Sequence, residues 1–359
     1  MRVSSFSWLV LLALVGCEKS EPKEDTKASE TESADAAAAK AAGLDPSLAQ
    51  AVAAASASPG APSAKDAGGG QAAGGPPPDG VFAPGEADKE APKGSLPKIT
   101  LGSEGSEPRV LLGPGKSPSK LSGTVQIALQ ADPRQGAIPV LLDVAIEPKK
   151  VEGGADKPVS LPVSVRVQGA KIDAPNVPKD LDAQLAKLKG SKLEYSILPG
   201  GAGAGYRFDV PKTAPEEFRD VVRSLSDALA LVTIPYPDKP LGAGAYFMVT
   251  SRDELMGLDL VSYRLVKVKQ VTAESATLDV STKRYAASRS FDFPGLPPDI
   301  DRNLAEFQAT SEGTVELPLG ALLPTKGQMS SVLAAQLGAA DARQRPMLQL
   351  QSRAQLDLK

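Results

Sequence analysis

The stretch that decides the fold is LQLQSRAQLDL, residues 348–358, close to the C-terminus. Every second residue is apolar or small and polar residues stand between them; the first series is Leu348, Leu350, Ser352, Ala354, Leu356 and Leu358. Successive side chains of a β-strand point to opposite faces, so this alternation predicts a strand with one buried and one solvated face. Strands of this kind are typical of antiparallel sheets.

The same period of two recurs upstream. It predicts further strands around 125–129, 140–146, 161–167, 192–198, 204–210, 245–251, 258–270 and 275–286. A first helix is predicted at about 178–189, with leucines on one face and Gly190 at its end. A second is predicted to begin at Thr213, whose hydroxyl would form a capping box with Glu216, and to carry an apolar stripe through Val232.

These elements predict an α+β, β-rich fold for residues 99–359: an antiparallel sheet, able to curve into an open barrel, packed with about two amphipathic helices. The length allows one large domain or two smaller units. Residues 18–98 consist largely of Ala, Gly, Pro, Ser and charged residues, which bury too little apolar surface to fold. We therefore expect residues 18–98 to form a disordered linker.

The N-terminus has the parts of a secretion signal. Arg2 precedes an apolar stretch over residues 6–15, which is roughly half the ~20 residues that a membrane span requires. The residues Leu14-Val15-Gly16-Cys17 that end it resemble the lipobox of bacterial lipoproteins. The resemblance implies that residues 1–17 are a signal peptide and that Cys17 carries the lipid, palmitate among its acyl chains. The alternative is an ordinary signal that happens to contain a cysteine.

The lipobox resemblance also implies a location. The protein would be anchored in the cell envelope, and Glu18 in place of aspartate after Cys17 favours the outer membrane. The sequence leaves open whether the chain faces the periplasm or the cell surface.

Composition excludes several classes of site. The chain has no His and a single Cys, which removes the usual catalytic triads, the common zinc sites and internal disulfides. Aromatic residues make up 4% of the chain, and residues 99–359 carry 30 acidic and 31 basic side chains. Neither feature favours a nucleic-acid partner. We expect no enzyme, no cofactor, no metal site and no catalytic residue.

Five features invite a functional interpretation, and each has a structural one. The glycine-rich residues 199–205 and 241–245 precede strand-like sequence, so they predict turns and not phosphate-binding loops. The carboxylate pairs Asp253-Glu254 and Asp299 with Asp301 are expected to be solvated caps. The basic residues would form a charged strand edge that prevents aggregation; they are Lys267, Lys269, Lys283, Arg284 and Arg289.

Four stretches carry a resemblance that covers most of the chain after residue 107: 107–112, 181–188, 235–247 and 293–298. Their order is similar to that in a family of uncharacterised bacterial secreted lipoproteins with a domain of unknown function. The resemblance implies a lipoprotein with a β-rich domain and assigns no activity.

For function, we expect a lipid-anchored envelope protein that binds an apolar ligand, such as a lipid, without enzymatic activity. The alternative is a structural or assembly lipoprotein that presents its sheet to a partner protein of the envelope. A carboxylate-based hydrolase is the remote alternative. An empty cavity lined by Val, Leu and Ile would favour the first, and converging buried carboxylates would favour the last.

Overall fold

The computed structural model describes residues 76–113, 119–130, 137–149, 160–175, 177, 179–198, 200–215, 218–255, 258–291, 301–321, 323–338 and 347–359. The expected signal peptide, Cys17 and the expected linker up to residue 75 lie outside the described residues.

Twelve strands form one antiparallel sheet, in the order β1-β7-β8-β9-β10-β11-β12-β2-β3-β4-β5-β6. They are β1 Lys98–Ser103, β2 Leu121–Gln130, β3 Ile138–Pro148, β4 Leu161–Ile172, β5 Lys192–Ile197, β6 Gly203–Asp209, β7 Tyr246–Leu255, β8 Leu258–Val271, β9 Ser275–Ala286, β10 Leu304–Pro318, β11 Lys326–Leu337 and β12 Met347–Leu358. The predicted β-rich antiparallel fold is confirmed. β10 and β11 escaped prediction because small and polar residues on both of their faces weaken the alternation.

Three α-helices lie among the described residues: α1 Glu86–Glu90, α2 Lys179–Leu185 and α3 Arg219–Val232. A short 3₁₀ turn, Ala186–Leu188, extends α2, and Gly190 follows it with φ 93°, as predicted for a helix end. The predicted start of α3 at Thr213 is wrong, and Glu216, the other half of the predicted capping box, lies outside the described residues. Residues 211–214 close a separate turn, in which Ala214 N–H donates to the Pro211 carbonyl, and the helix begins only at Arg219.

The main hydrophobic core lies between α3 and one face of the sheet, which we call the inner face. Val222, Leu225 and Leu229 of α3 are completely buried, as are Leu142 of β3 and Val165 of β4. The apolar stripe predicted for this helix therefore fills the curve of the sheet.

The strap, residues 76–97, runs along the opposite, outer face. Phe82 N–H donates to the Ala286 carbonyl at 2.9 Å, and the Phe82 ring packs with Met248 and Tyr263. A β-carbon on Gly80 would overlap the carbonyl oxygen of Phe307, so glycine is required there. The boundary predicted at residue 98 is corrected by these contacts: the folded unit includes residues 76–98.

The two edge strands, β1 and β6, approach each other without pairing among the described residues. Gly200, in the hairpin before β6, lies beside Ile99 of β1 and accepts a hydrogen bond of 2.8 Å from Tyr236 N–H. The sheet is thus curved and open. Among the described helices, none is both long and apolar enough to span a membrane.

Candidate functional site

The inner face of β8 and β9 changes character half-way along both strands. In β8, the completely buried Leu260 and Val266 flank two polar residues of the same face, Ser262 and Arg264. In β9, Thr282 and Arg284 stand between Val280 and Ala286. All four polar residues are buried, with exposures of 0% to 7%. A polar belt therefore interrupts an otherwise apolar face.

The strand register extends this belt across the sheet. Arg264 lies opposite Thr282, Thr282 opposite Ser311, Ser311 opposite Ser331, and Ser331 opposite Ser352. Directly opposed residues share a face of the sheet. The belt thus separates two apolar clusters, one under α3 and one around Leu260, Phe307 and Leu333.

A cavity of about 460 Å³ opens at the β8–β9 end of the belt. Its walls come from both ends of the sheet, together with α3 and the strap. The cavity lining includes Leu198, Ala204, Tyr206 and Phe208 around β6; Asp227 and Leu231 of α3; Asp253 and Glu254 of β7; and Arg264 and Arg284. The curvature of the sheet creates the site, because β6 and β8 are far apart in the strand order.

Two other inner-face cavities among the described residues are small, at about 30 and 10 Å³. The curve of the sheet, in which the sequence predicted an apolar ligand, is filled by Leu225 and Leu229 of α3. The large cavity is lined by Leu198 and Leu231 but by no Val or Ile among the described residues, and charged side chains complete its wall.

Arg264 and Arg284 are the buried cations of this cavity. Arg264 donates to the Thr233 carbonyl at 2.7 Å and to the Ala230 carbonyl at 3.5 Å, both at the end of α3. Arg284 donates to Ser311 Oγ at 3.3 Å. Burial lowers the pKa of both side chains, that of Arg284 to about 10. Arg284 therefore remains charged at neutral pH, and arginine side chains in general keep their proton in proteins.

Neither arginine forms an ion pair within the part of the chain that the structure describes, where no carboxylate oxygen lies within 4.0 Å of either guanidinium. Asp253 acts on both from a greater distance and raises their pKa values. The two arginines also repel each other, since the charge of Arg264 lowers the pKa of Arg284. Asp227 also raises the pKa of Arg284. The carboxylates thus act on the two guanidinium groups from beyond ion-pair distance among the described residues.

Three carboxyl groups line the same cavity. Burial raises the pKa of Asp227 to about 7, against the opposing charges of Arg223 and Arg284. Asp253 accepts a hydrogen bond of 2.7 Å from Ser251 Oγ, and Glu254 is exposed. Considering only described residues, no group of three or more acidic or thiol side chains could hold a metal ion.

Aromatic rings cover the β6 side of the cavity. The Tyr206 ring stacks on Tyr195 of β5, with centroids 4.9 Å apart, and burial raises the pKa of both hydroxyls well above the usual range. Phe208, two residues further along the same face of β6, is 39% exposed. The Arg223 guanidinium lies over the Phe208 ring, 5.7 Å from its centroid.

The structure corrects one carboxylate prediction and supports the two turn predictions. Asp253 and Glu254 lie within β7 beside the cavity and are not caps in a turn. Asp301 accepts hydrogen bonds from the Asn303 backbone and side chain, as a turn carboxylate does, and Asp299 lies outside the described residues. Gly200 and Gly201 turn the β5–β6 hairpin, and residues 241–245 form the turn before β7.

The predicted basic edge is wrong. β8 and β9 are interior strands, each paired on both sides. Lys267 and Lys269 lie on the outer face, where Lys269 pairs with Asp279 at 3.4 Å. Lys283 is half-buried, Arg284 lies on the inner face, and Arg289 beyond β9 pairs with Asp79 of the strap at 2.5 Å.

Arg264, Thr282 and Asp227 were missed as candidate site residues. The sequence contains a signal for Arg264 and Thr282. Each is one of the alternate residues of its strand that form the buried face, most of which are Leu, Val or Ala. A charged residue at such a position must be buried or must interrupt the core. Asp227 gives no comparable signal, because its surroundings come from β7 and β9.

Comparisons with known protein families and with curated proteins find no match to this chain. The resemblance to uncharacterised secreted lipoproteins therefore stays a prediction, and the site must be interpreted from its own geometry.

Proposed function

We propose that the protein is a binding protein of the cell envelope that holds a ligand with an apolar part in the 460 Å³ cavity. The observation that supports this most directly is the position of the cavity, in the opening between the two ends of the curved sheet. Its volume is in the range of small-molecule sites, about 300–1,000 Å³. The β6 side and the β8–β9 side of the cavity are built on strands, which hold a site more rigidly than loops do.

Apolar side chains support an apolar part for the ligand. Leu198 and Phe208 around β6 and Leu231 of α3 line the cavity. Phe208 is large and partly exposed in the free protein, so covering it would remove apolar surface from water. Such burial contributes about 25 cal/mol per Å².

The same proposal includes the lipid anchor at Cys17 and attachment to the outer membrane. The lipobox-like residues Leu14-Val15-Gly16-Cys17 at the end of the apolar stretch support the anchor. We expect Cys17→Ser to release the protein from membranes and to prevent cleavage of the signal. Unchanged association of the variant with membranes would refute the anchor.

The cavity is tested with Ala204→Trp. Ala204 lies on the same face of β6 as Tyr206 and Phe208, so an indole there narrows the cavity. We expect at least a tenfold loss of affinity for a fluorescent long-chain alcohol. Arg207→Trp places the same ring on the opposite face of the strand and should leave the affinity unchanged. Equal affinities in the two variants would exclude the cavity as the binding site.

Native mass spectrometry of the protein purified from its host identifies what the cavity holds. A co-purifying ligand would support the proposal. An apo mass that does not change with added fatty alcohol or fatty acid would contradict it.

A hydrolase is the second candidate, because Asp227 has a raised pKa and faces the same cavity as Asp253. A carboxyl group that titrates near neutral pH suits general acid or base catalysis. No hydrogen bond joins these two carboxyl groups among the described residues. Recovery of bound esters unchanged after prolonged incubation would favour the binding protein, and their cleavage, lost in Asp227→Asn, would favour the hydrolase.

A further inference from the structure

We propose that Arg264 and Arg284 bind an oxyanion, a carboxylate or phosphate group, on the ligand of this cavity. The inference rests on the proposed function, since the apolar part would then occupy the Leu198–Phe208–Leu231 side. It adds the chemical class of the ligand, an amphipathic acid.

Arg264 and Arg284 carry more hydrogen-bond donors than the described residues use. A guanidinium carries five N–H donors. Within the described chain, Arg264 has two hydrogen bonds, both to backbone carbonyls, and Arg284 has one, to Ser311 Oγ. Most donors of both groups therefore remain available, and both side chains line the cavity.

The charges of Arg264 and Arg284 also favour an anionic ligand. Two like charges on neighbouring strands are buried with no carboxylate at ion-pair distance among the described residues. A buried charge is unfavourable unless it is paired and hydrogen-bonded. An oxyanion bound between the two groups would supply both the charge and the acceptors, and arginine is suited to two-point contact with carboxylate or phosphate.

Two side-chain hydroxyls of the polar belt, next to the arginines, have no hydrogen-bond partner among the described residues. Ser262 Oγ and Thr282 Oγ1 are buried without a hydrogen-bond partner in the described part of the chain. The register sets Ser262 opposite Arg284 and Thr282 opposite Arg264. Polar groups of this kind are rare in a finished core and frequently mark a functional site. Neither hydroxyl lines the cavity itself. The two show that the polar belt around the arginines is incompletely hydrogen-bonded, as a packed core seldom is.

The experiment compares two probes of equal chain length, a fluorescent 16-carbon fatty acid and the corresponding alcohol. Residues 18–359 are used, because they contain every described element. We expect the acid to bind at least tenfold more tightly than the alcohol at pH 7.5. Arg264→Gln and Arg284→Gln should each reduce the ratio of acid affinity to alcohol affinity to about twofold or less.

Arg166→Gln is the matched control, because Arg166 is exposed on β4, away from the cavity. It should retain the preference. Circular dichroism and thermal unfolding show whether each variant is folded, and the alcohol affinity provides a second check, since only a folded cavity binds it.

Each other outcome has a defined meaning. Equal affinities of wild type for acid and alcohol would overturn the oxyanion site and leave the cavity proposal intact. Failure of both probes and of inorganic phosphate to bind would overturn both proposals. Binding of inorganic phosphate alone, lost in both Arg variants, would support the oxyanion site with a free ion as its ligand. Retention of the acid preference in both variants would assign it to other residues.

Discussion

The two halves of the sheet use the same alternation of side chains for different purposes. In β3 and β4, the inner-face residues Leu142, Val144, Val163 and Val165 form an unbroken apolar surface that is completely or almost completely buried. In β8 and β9, Arg264, Thr282 and Arg284 occupy corresponding positions. The first half is built for stability, and the second gives up part of its core to place charges beside a cavity.

The largest expected effect is the loss of stability when a buried side chain of the apolar half, β3 and β4, is shortened. Leu142→Ala should lower the free energy of unfolding by about 2–5 kcal/mol, because it leaves a void in a fully packed core. Denaturant unfolding followed by circular dichroism measures this value. Leu141→Ala, which removes the same atoms on the opposite, half-exposed face of β3, should cause a much smaller loss. Equal losses would show that β3 is not buried on one side.

Asp227 of α3, which lines the cavity together with the arginines of the polar half, should contribute to the pH dependence of stability. Asp227, with its pKa raised to about 7 by burial, keeps a proton that the unfolded chain releases near pH 4. The contribution of Asp227 to folding stability should therefore be fully present below pH 4 and decline as the pH rises towards 7. The decline is at most about 1.4 kcal/mol per pH unit.

The measurement is the difference in unfolding free energy between wild type and Asp227→Asn at pH 5, 6 and 7. Subtraction removes the contribution of the other titrating groups. The positively charged groups that act on Asp227 are Arg223 and Arg284, and Glu254 is the acidic one. A difference that does not vary with pH would place the Asp227 carboxyl in contact with water.

The smallest expected effect has the opposite sign. Thr282→Val should raise the free energy of unfolding by about 1–2 kcal/mol, because a buried hydroxyl without a partner is unfavourable by about 1–3 kcal/mol. Thr277→Val, on the other face of the same strand, should change stability by no more than about 0.5 kcal/mol. A loss of stability in Thr282→Val would show that the hydroxyl has a partner, and the polar belt would then be structural.

These effects explain how far the sequence could lead. Nine of the twelve strands were predicted from alternation, because side-chain direction in a strand repeats every two residues whatever the strand pairs with. The helix stop at Gly190 was equally local. The start of α3 was not, since residues 211–214 can form either a cap or the separate turn that they adopt.

The sequence by itself determined that the chain forms a one-sided antiparallel sheet with an amphipathic helix to cover it. Only the tertiary structure decided where the charges lie. Arg284 could belong to an edge or to the interior, and its place follows from the pairing of β9 with both β8 and β10. The cavity depends on the approach of β6 to strands at the other end of the sheet. Contacts between residues so distant in sequence arise from the curvature of the whole sheet, which no local pattern encodes.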